Sequence, residues 1–110
     1  MTRKYRNQPV VIDGVRFDSK REANRWQELK ILERAGKISM LRRQVPFVLA
    51  APVKIEGEKR ARPALRSVVD FTYWCDCAFV VEDTKGRETP VSRIKRHLMK
   101  SVYGIDVRIS

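Results

Sequence analysis

Histidine, cysteine and acidic side chains are all scarce in this sequence, and each scarcity removes a class of function. The single histidine is His97, and the two cysteines are Cys75 and Cys77. Cysteines two apart on one strand cannot easily bridge to each other, and a zinc site would need more Cys or His ligands than these. Two free thiols in a reducing cytoplasm is the expectation. Asp and Glu number 13 against 24 Lys and Arg, which leaves a net charge of +11 and a pI near 10.3. Such a surplus exceeds what solubility requires and points to an acidic partner, of which nucleic acid is the commonest. No apolar run is long enough to cross a membrane, and the basic, polar start lacks the apolar segment of a secretory leader. Internal repeats and low-complexity segments are absent. The 110 residues suit one domain with a single core. Residues 1–17 read as an arm and hairpin, and 18–110 as the core.

The chain is organised around the stretch from Val68 to Gly86. It reads as two apolar strands joined by a polar turn at Asp76-Cys77, and each strand carries an acid where an apolar residue belongs. If the hairpin is antiparallel, Asp70 stands opposite Asp83, with Cβ atoms about 5 Å apart on one face. Lys85, two residues on, shares that face, while Glu82 points to the other. Two like charges so close repel unless something positive lies between them, and a divalent cation with oxygen ligands is the obvious candidate. The bland alternative is a surface hairpin with solvated charges. A slip of one residue in the pairing would exchange the roles of Glu82 and Asp83.

Asp70 followed by Asp83-Thr84-Lys85 resembles the PD-(D/E)xK nuclease superfamily, whose signature is an acid on one strand and acid-x-Lys on the next. Val69 stands where the motif has its proline, which many members also lack. More closely, Tyr5-Arg6-Asn7, Asp13-Gly14, Phe17-x-Ser19-Lys20-x-Glu22, Arg43-Gln44 and Glu82-Asp83-x-Lys85-Gly86 are similar to a family of small phage-encoded proteins of unknown function placed in that superfamily. The resemblance spans nearly the whole chain. It implies an α/β fold with a restriction-endonuclease-like core: a mixed four-stranded sheet flanked by helices in the order αβββαβ, here after an N-terminal β-hairpin. It also implies a Thr84 carbonyl that ligates the metal, a glutamate on the first helix aimed at the site, and a glutamine beside the acids, which are Glu22 and Gln44 here.

Taken in order, residues 1–9 form either a phosphate-tracking arm or a frayed terminus. Val10–Ile12 and Val15–Phe17 flank Asp13-Gly14, a strong hairpin signal for a ribbon that caps the core or adds to a dimer surface. Asp18-Ser19 starts a helix of about 17 residues ended by Gly36, with Trp26, Leu29 and Leu32 or Glu33 at helical spacing. Glu22 falls on or beside that stripe. It either closes an S-x-x-E capping box with Ser19 or, as the resemblance implies, faces the metal. Ile38 to Ala50 reads as a strand in which Pro46 marks an edge or bulge. Pro52 to Arg66 is a basic loop or hairpin tip expected to grip DNA backbone near the site. Thr89-Pro90 opens a second helix with the apolar stripe Val91, Ile94, Leu98 and Val102 and a basic remainder. Ile105, Val107 and Ile109 alternate in a last strand. The residues expected to contact DNA are Lys20, Arg43, Lys59, Arg60, Arg62, Arg66, Arg93, Arg96 and Lys100. A plain solvated face competes with that role for the loop and the second helix.

These readings converge on a metal-dependent endonuclease that hydrolyses DNA phosphodiester bonds. Mg²⁺ (or Mn²⁺) on Asp70, Asp83, Thr84 and Glu22 would lower the pKa of water and draw charge from phosphoryl oxygens. Lys85 would orient or deprotonate the attacking water and stabilise the transition state, with Gln44 alongside. Branched DNA, including Holliday junctions, is the expected substrate, and a homodimer the expected form. No membrane and no small-molecule cofactor is expected. The rival is a non-catalytic nucleic-acid-binding module with the same basic surfaces; a small RNA- or protein-binding adaptor has only the charge in its favour.

Overall fold

A computed structural model describes residues 9–110, so the expected N-terminal arm lies, apart from Pro9, outside the described residues. The elements run β1 (Val10–Ile12), β2 (Val15–Phe17), α1 (Lys20–Arg34), β3 (Ser39–Ala50), β4 (Leu65–Cys75), β5 (Ala78–Asp83), α2 (Pro90–Tyr103) and β6 (Arg108–Ile109). β1 and β2 form a separate ribbon; the main sheet has the order β3-β4-β5-β6, antiparallel except for β6, which runs parallel to β5. The architecture is therefore α/β, with a mixed four-stranded sheet and two helices after a hairpin.

Local chemistry sets the boundaries. Ser19 caps α1 by accepting the Glu22 amide, and Gly36 follows the helix at φ +75°, the left-handed region that a residue with a Cβ resists. Thr89 and Ser92 form a reciprocal capping box at the start of α2, and Pro90 occupies the first helical position. The β4–β5 turn lies at Asp76-Cys77, with Cys75 paired to Ala78 and Asp76 at φ +55°. Pro46 sits on β3, an edge strand, the place in a sheet where proline is tolerated.

Two apolar clusters hold the sheet. One gathers Leu29 of α1 with Ile38, Phe71, Tyr73 and Val80; the other gathers Met99 of α2 with Val45, Leu49, Val69, Val81 and Val107. Adjacent residues Val80 and Val81 belong to different clusters, as strand alternation requires when helices cover both faces. On β3 and β4 the allegiance changes without a change of parity. Leu41 packs with the α1 cluster but Val45 with the α2 cluster, and Phe71 with the first but Val69 with the second. The change falls at Gln44, which has φ +51°, and at Asp70, which faces it between the pairs Arg43–Phe71 and Val45–Val69. The strained residue and the acid thus mark one point where the sheet passes from one core to the other.

Two expectations are corrected. α2 turns Ser92 and Met99 to the sheet, while Val91 and Ile94 are each 60% exposed and Val102 is 50% exposed. Ser92, whose hydroxyl completes the capping box, is buried on this face, and Met99 enters the core with the expected Leu98 packed beside it. The basic loop is the tip of the β3–β4 hairpin, pinned by a bridge between Val53 and Arg62. Its base at Leu65 lies about 17 Å along β4 from Asp70, so it does not flank the acids.

Candidate functional site

The site is built where α1, β3, β4 and the end of β5 meet. The pairing of Phe71 with Glu82 extends directly to Asp70 opposite Asp83. The two acids do not simply confront each other. Asp83 Oδ1 accepts the backbone N–H of Asp70 at 2.8 Å, and Asp70 Oδ2 accepts both the N–H of Thr84 at 2.9 Å and its hydroxyl at 3.1 Å. Beyond β5 the ladder continues to the C-terminus. Ser110 donates its N–H to the Asp83 carbonyl and accepts that of Lys85, which fixes the backbone on either side of Thr84.

Gln44 joins the second acid to the first. Its Nε2 lies 3.1 Å from Glu22 Oε1 and 3.3 Å from Asp70 Oδ1, so one amide spans two carboxylates. The Glu22 side chain therefore points at the site and does not return to the Ser19 backbone. Ser19 makes its half of the capping box alone, so the reciprocal box expected of Glu22 is not formed. Glu22, Asp70, Thr84 and Lys85 line a cleft of about 550 Å³ together with Arg21 and Arg87. Both helix caps, Ser19 and Thr89, lie on its wall, so the positive ends of both helix dipoles face it. Asp83 is buried at the side of the cleft, over a smaller cavity that it shares with Lys85, Ser92 and Lys95.

The two cleft acids resist ionisation. Burial raises the pKa of Glu22, the charge of Asp70 raises it further, and Arg43 takes back part of the effect. Burial likewise raises Asp70, and Asp83 adds to it, against the lowering hydrogen bonds from Thr84 and the charge of Lys85. This is an excess of negative charge that a cation would relieve. Among the described residues no group of three or more His, Cys, Asp or Glu could hold a metal ion. The donor set suits Mg²⁺, which needs only one or two carboxylates and keeps its own waters, and does not suit a metal that demands a full protein cage.

Glu82, on the other face, has a wholly different use. It is fully buried and gripped by Arg25, Nε to Oε2 at 2.6 Å and Nη2 to Oε1 at 3.0 Å, with the Tyr73 hydroxyl donating to Oε1 at 2.7 Å. Burial pushes its pKa up, but the Arg25 and Tyr73 hydrogen bonds outweigh this and hold it below the usual carboxylate range. Sequence reasoning missed Arg25 and Tyr73. The only signal was Glu82 itself, an acid in an apolar run that needed a buried cation.

The residues expected to bind DNA scatter. Arg43 does not face solvent as a phosphate contact: its guanidinium lies 4.3 Å from the Phe17 ring centroid and 5.7 Å from that of Trp26, with Nη2 3.5 Å from Glu22 Oε1 and 3.2 Å from the Arg16 carbonyl. Two aromatic faces and a carboxylate hold it better than water does, so it braces Glu22 from behind. Arg62 pairs with Glu58, Nη2 to Oε2 at 2.7 Å. Lys59, Arg60 and Arg66 are exposed on the hairpin arm, and Lys20 is exposed at the start of α1. Arg93, Arg96 and Lys100 line a separate cleft beside α2. Cys75 and Cys77 are free thiols. Among the described residues no helix is long and apolar enough to cross a membrane.

The fold and this cleft define a small basic α/β domain in which two acids and a lysine line one cleft. The chain belongs to the family described as "Protein of unknown function (DUF1064)", which matches residues 2–110. No curated protein and no solved structure matches it.

Proposed function

We propose that this protein is a metal-dependent endonuclease of the PD-(D/E)xK type, on a restriction-endonuclease-like core, that hydrolyses phosphodiester bonds of DNA. The observation that carries the reading is the Gln44 amide spanning Glu22 and Asp70, two acids that line one cleft with Lys85. Glu22 and Asp70 would hold Mg²⁺ (or Mn²⁺) from the protein side. Asp83 fixes the Asp70 backbone, and the Thr84 carbonyl is a further ligand by the resemblance. When bound, the ion supplies Lewis acidity toward the phosphoryl oxygens and a more acidic water. Lys85 orients the attacking water and offsets charge growing on phosphorus. Gln44 holds the two carboxylates apart and in register, and Arg43 holds Glu22. Arg21, Arg87 and the two helix N-termini favour an anion at the cleft mouth.

Branched DNA, including four-way junctions, is the proposed substrate, because nothing in the described fold resembles a sequence-reading module. A homodimer would set two clefts on two strands. The exposed face of α2 (Val91, Ile94, Val102) is the proposed contact, since the helix carries Arg93 and Lys100 on another side and two copies can meet there without opposing those cations. The second reading, a non-catalytic DNA-binding module, draws on the structural use of Asp83 and Asp70, whose carboxylates accept backbone N–H groups.

The deciding experiment is cleavage of linear, flapped and four-way DNA with Mg²⁺ or Mn²⁺, by the native chain beside Asp70→Asn and Lys85→Ala. Cutting by the native chain alone, with a preferred shape, is expected. Equal binding by all three with no cutting would make the binding module the better account.

A further inference from the structure

A second cleft, of about 600 Å³, lies between α2 and the turn into β6, away from the acidic pair. Arg93, Arg96, His97 and Lys100 line it, and its acids are Glu88 and Asp106. Each acid holds a cation: Glu88 is hydrogen-bonded to Arg96 and 3.9 Å from Arg93, and Asp106 lies 2.7 Å from Lys100. The Nε of Arg96 is buried without a hydrogen-bond partner among the described residues, so the carboxylate does not satisfy the whole guanidinium. The loop before α2 is the wall between the clefts. Arg87 and Thr89 line the acidic one, and Glu88, between them, lines the basic one.

We infer that this cleft is a second binding site for the DNA backbone, and that Glu88 and Asp106 occupy the places of two of its phosphates. In the free protein the carboxylates hold Arg96 and Lys100 extended into the cleft. An arriving strand exchanges each carboxylate for a phosphate, a better bidentate partner for arginine, and the displaced acids return to solvent. The acids thereby tax weak, isolated anions, while a polyanion that engages both cations and the neighbouring cleft together overcomes them. The inference takes from the nuclease reading only the identity of the polyanion.

The test is binding of a labelled DNA duplex of about 20 base pairs to the full chain, followed by fluorescence anisotropy in EDTA from about 50 to about 200 mM salt. Glu88→Gln and Asp106→Asn should each tighten binding about fivefold, the worth of an exposed ion pair that no longer competes. Asp76→Asn, at the β4–β5 turn, adds the same net charge without releasing a cation and should change affinity less than about twofold. The double variant Arg96→Gln/Lys100→Gln should weaken binding and lower the slope of log affinity against log salt by about two. The inference is overturned if neither acid variant binds more tightly than Asp76→Asn, if the double variant keeps the native slope, or if RNA duplex binds more tightly than DNA. These readouts need no cleavage. A native chain that cuts nothing but responds to Glu88→Gln loses the nuclease reading alone; one that cuts and does not respond loses this inference alone.

Discussion

Glu22 and Asp70 are both within hydrogen-bond distance of one amide nitrogen, so their charges stand about 6 Å apart. At an effective dielectric near 20 their repulsion is about 2.7 kcal/mol. Burial of Glu22 is the larger cause of its raised pKa and the Asp70 charge adds to it, while the Arg43 guanidinium, 3.5 Å away, takes back part, so holding Glu22 ionised carries a net penalty. Glu22→Gln removes the charge and retains an oxygen to accept from Gln44 and Arg43. It should therefore raise the melting temperature at pH 8 in metal-free buffer, by about 5 °C for each kcal/mol of penalty removed. The sign follows from proton binding. The folded pKa of Glu22 is raised above the ordinary 4.5, so the folded state binds more protons than the unfolded one, and the native chain loses stability as pH climbs through that window. The variant lacks this loss, so the two melting curves should converge near pH 4 and separate toward pH 8. Mg²⁺ should restore the native chain and leave the variant nearly unmoved. Differential scanning calorimetry with and without Mg²⁺ reads all three effects. If Glu22→Gln melts lower than native at pH 8, Glu22 is a net stabiliser locked to Arg43, and the argument for an unrelieved acidic pair is wrong.

Glu82→Gln should cost about 2 kcal/mol in urea unfolding, because Arg25 stays partly buried against a neutral partner. The Glu82 carboxyl is held below its ordinary 4.5, so its contribution is present above that pH and fades as pH falls below it, opposite in slope to that of Glu22. Ile94→Asp should convert a homodimer to monomers in sedimentation velocity at micromolar concentration; a native chain that sediments as a monomer there removes the α2 contact from the account. Phe17→Ala should lower cleavage of DNA more than it lowers binding, since Arg43 then loses the ring that positions it behind Glu22; an equal loss of both would assign Phe17 to packing alone.

The order of elements was legible in the sequence because the punctuation is local. Asp13-Gly14, Ser19, Gly36 and Thr89-Pro90 each act within a few residues of themselves, and the structure bends or caps at each. The β4–β5 register was legible for the same reason: a two-residue turn at Asp76-Cys77 fixes every pair outward to Asp70 and Asp83. The roll of α2 was not. Of its stripe of Val91, Ile94, Leu98 and Val102 only Leu98 packs against the core, while Met99 and Ser92 are the residues buried against the sheet. Periodicity tells that a helix has an apolar face, not whether that face meets this sheet or something else.

The candidate site shows the same division more sharply. Two acids of the β4–β5 hairpin meet opposite fates: Glu82 on β5 is paired with Arg25 and its pKa is lowered, while Asp70 on β4, whose backbone N–H is held by Asp83, has its pKa raised by burial. Strand alternation foretells that Glu82 and Asp83 part company, but not which acid will find an arginine, because Arg25 reaches Glu82 across 57 positions of sequence. The arrangement has a mechanical consequence. Arg25 and Glu22 lie one turn apart on α1, and the Arg25–Glu82 grip ties that turn to β5, which ends at Asp83 and leads into Thr84 and Lys85. Glu22 is thus placed against Asp70 by a bond on the far face of the same strand that supplies Thr84 to Asp70. A structural ion pair below the sheet sets the spacing of the unrelieved pair at its crossover. Loosening it should let Glu22 and Asp70 drift apart, so Glu82→Gln should also diminish the Mg²⁺-dependent rise in melting temperature. If that rise stays native in size while stability falls, the two faces are independent and Glu22 is placed by Arg43 and Gln44 alone.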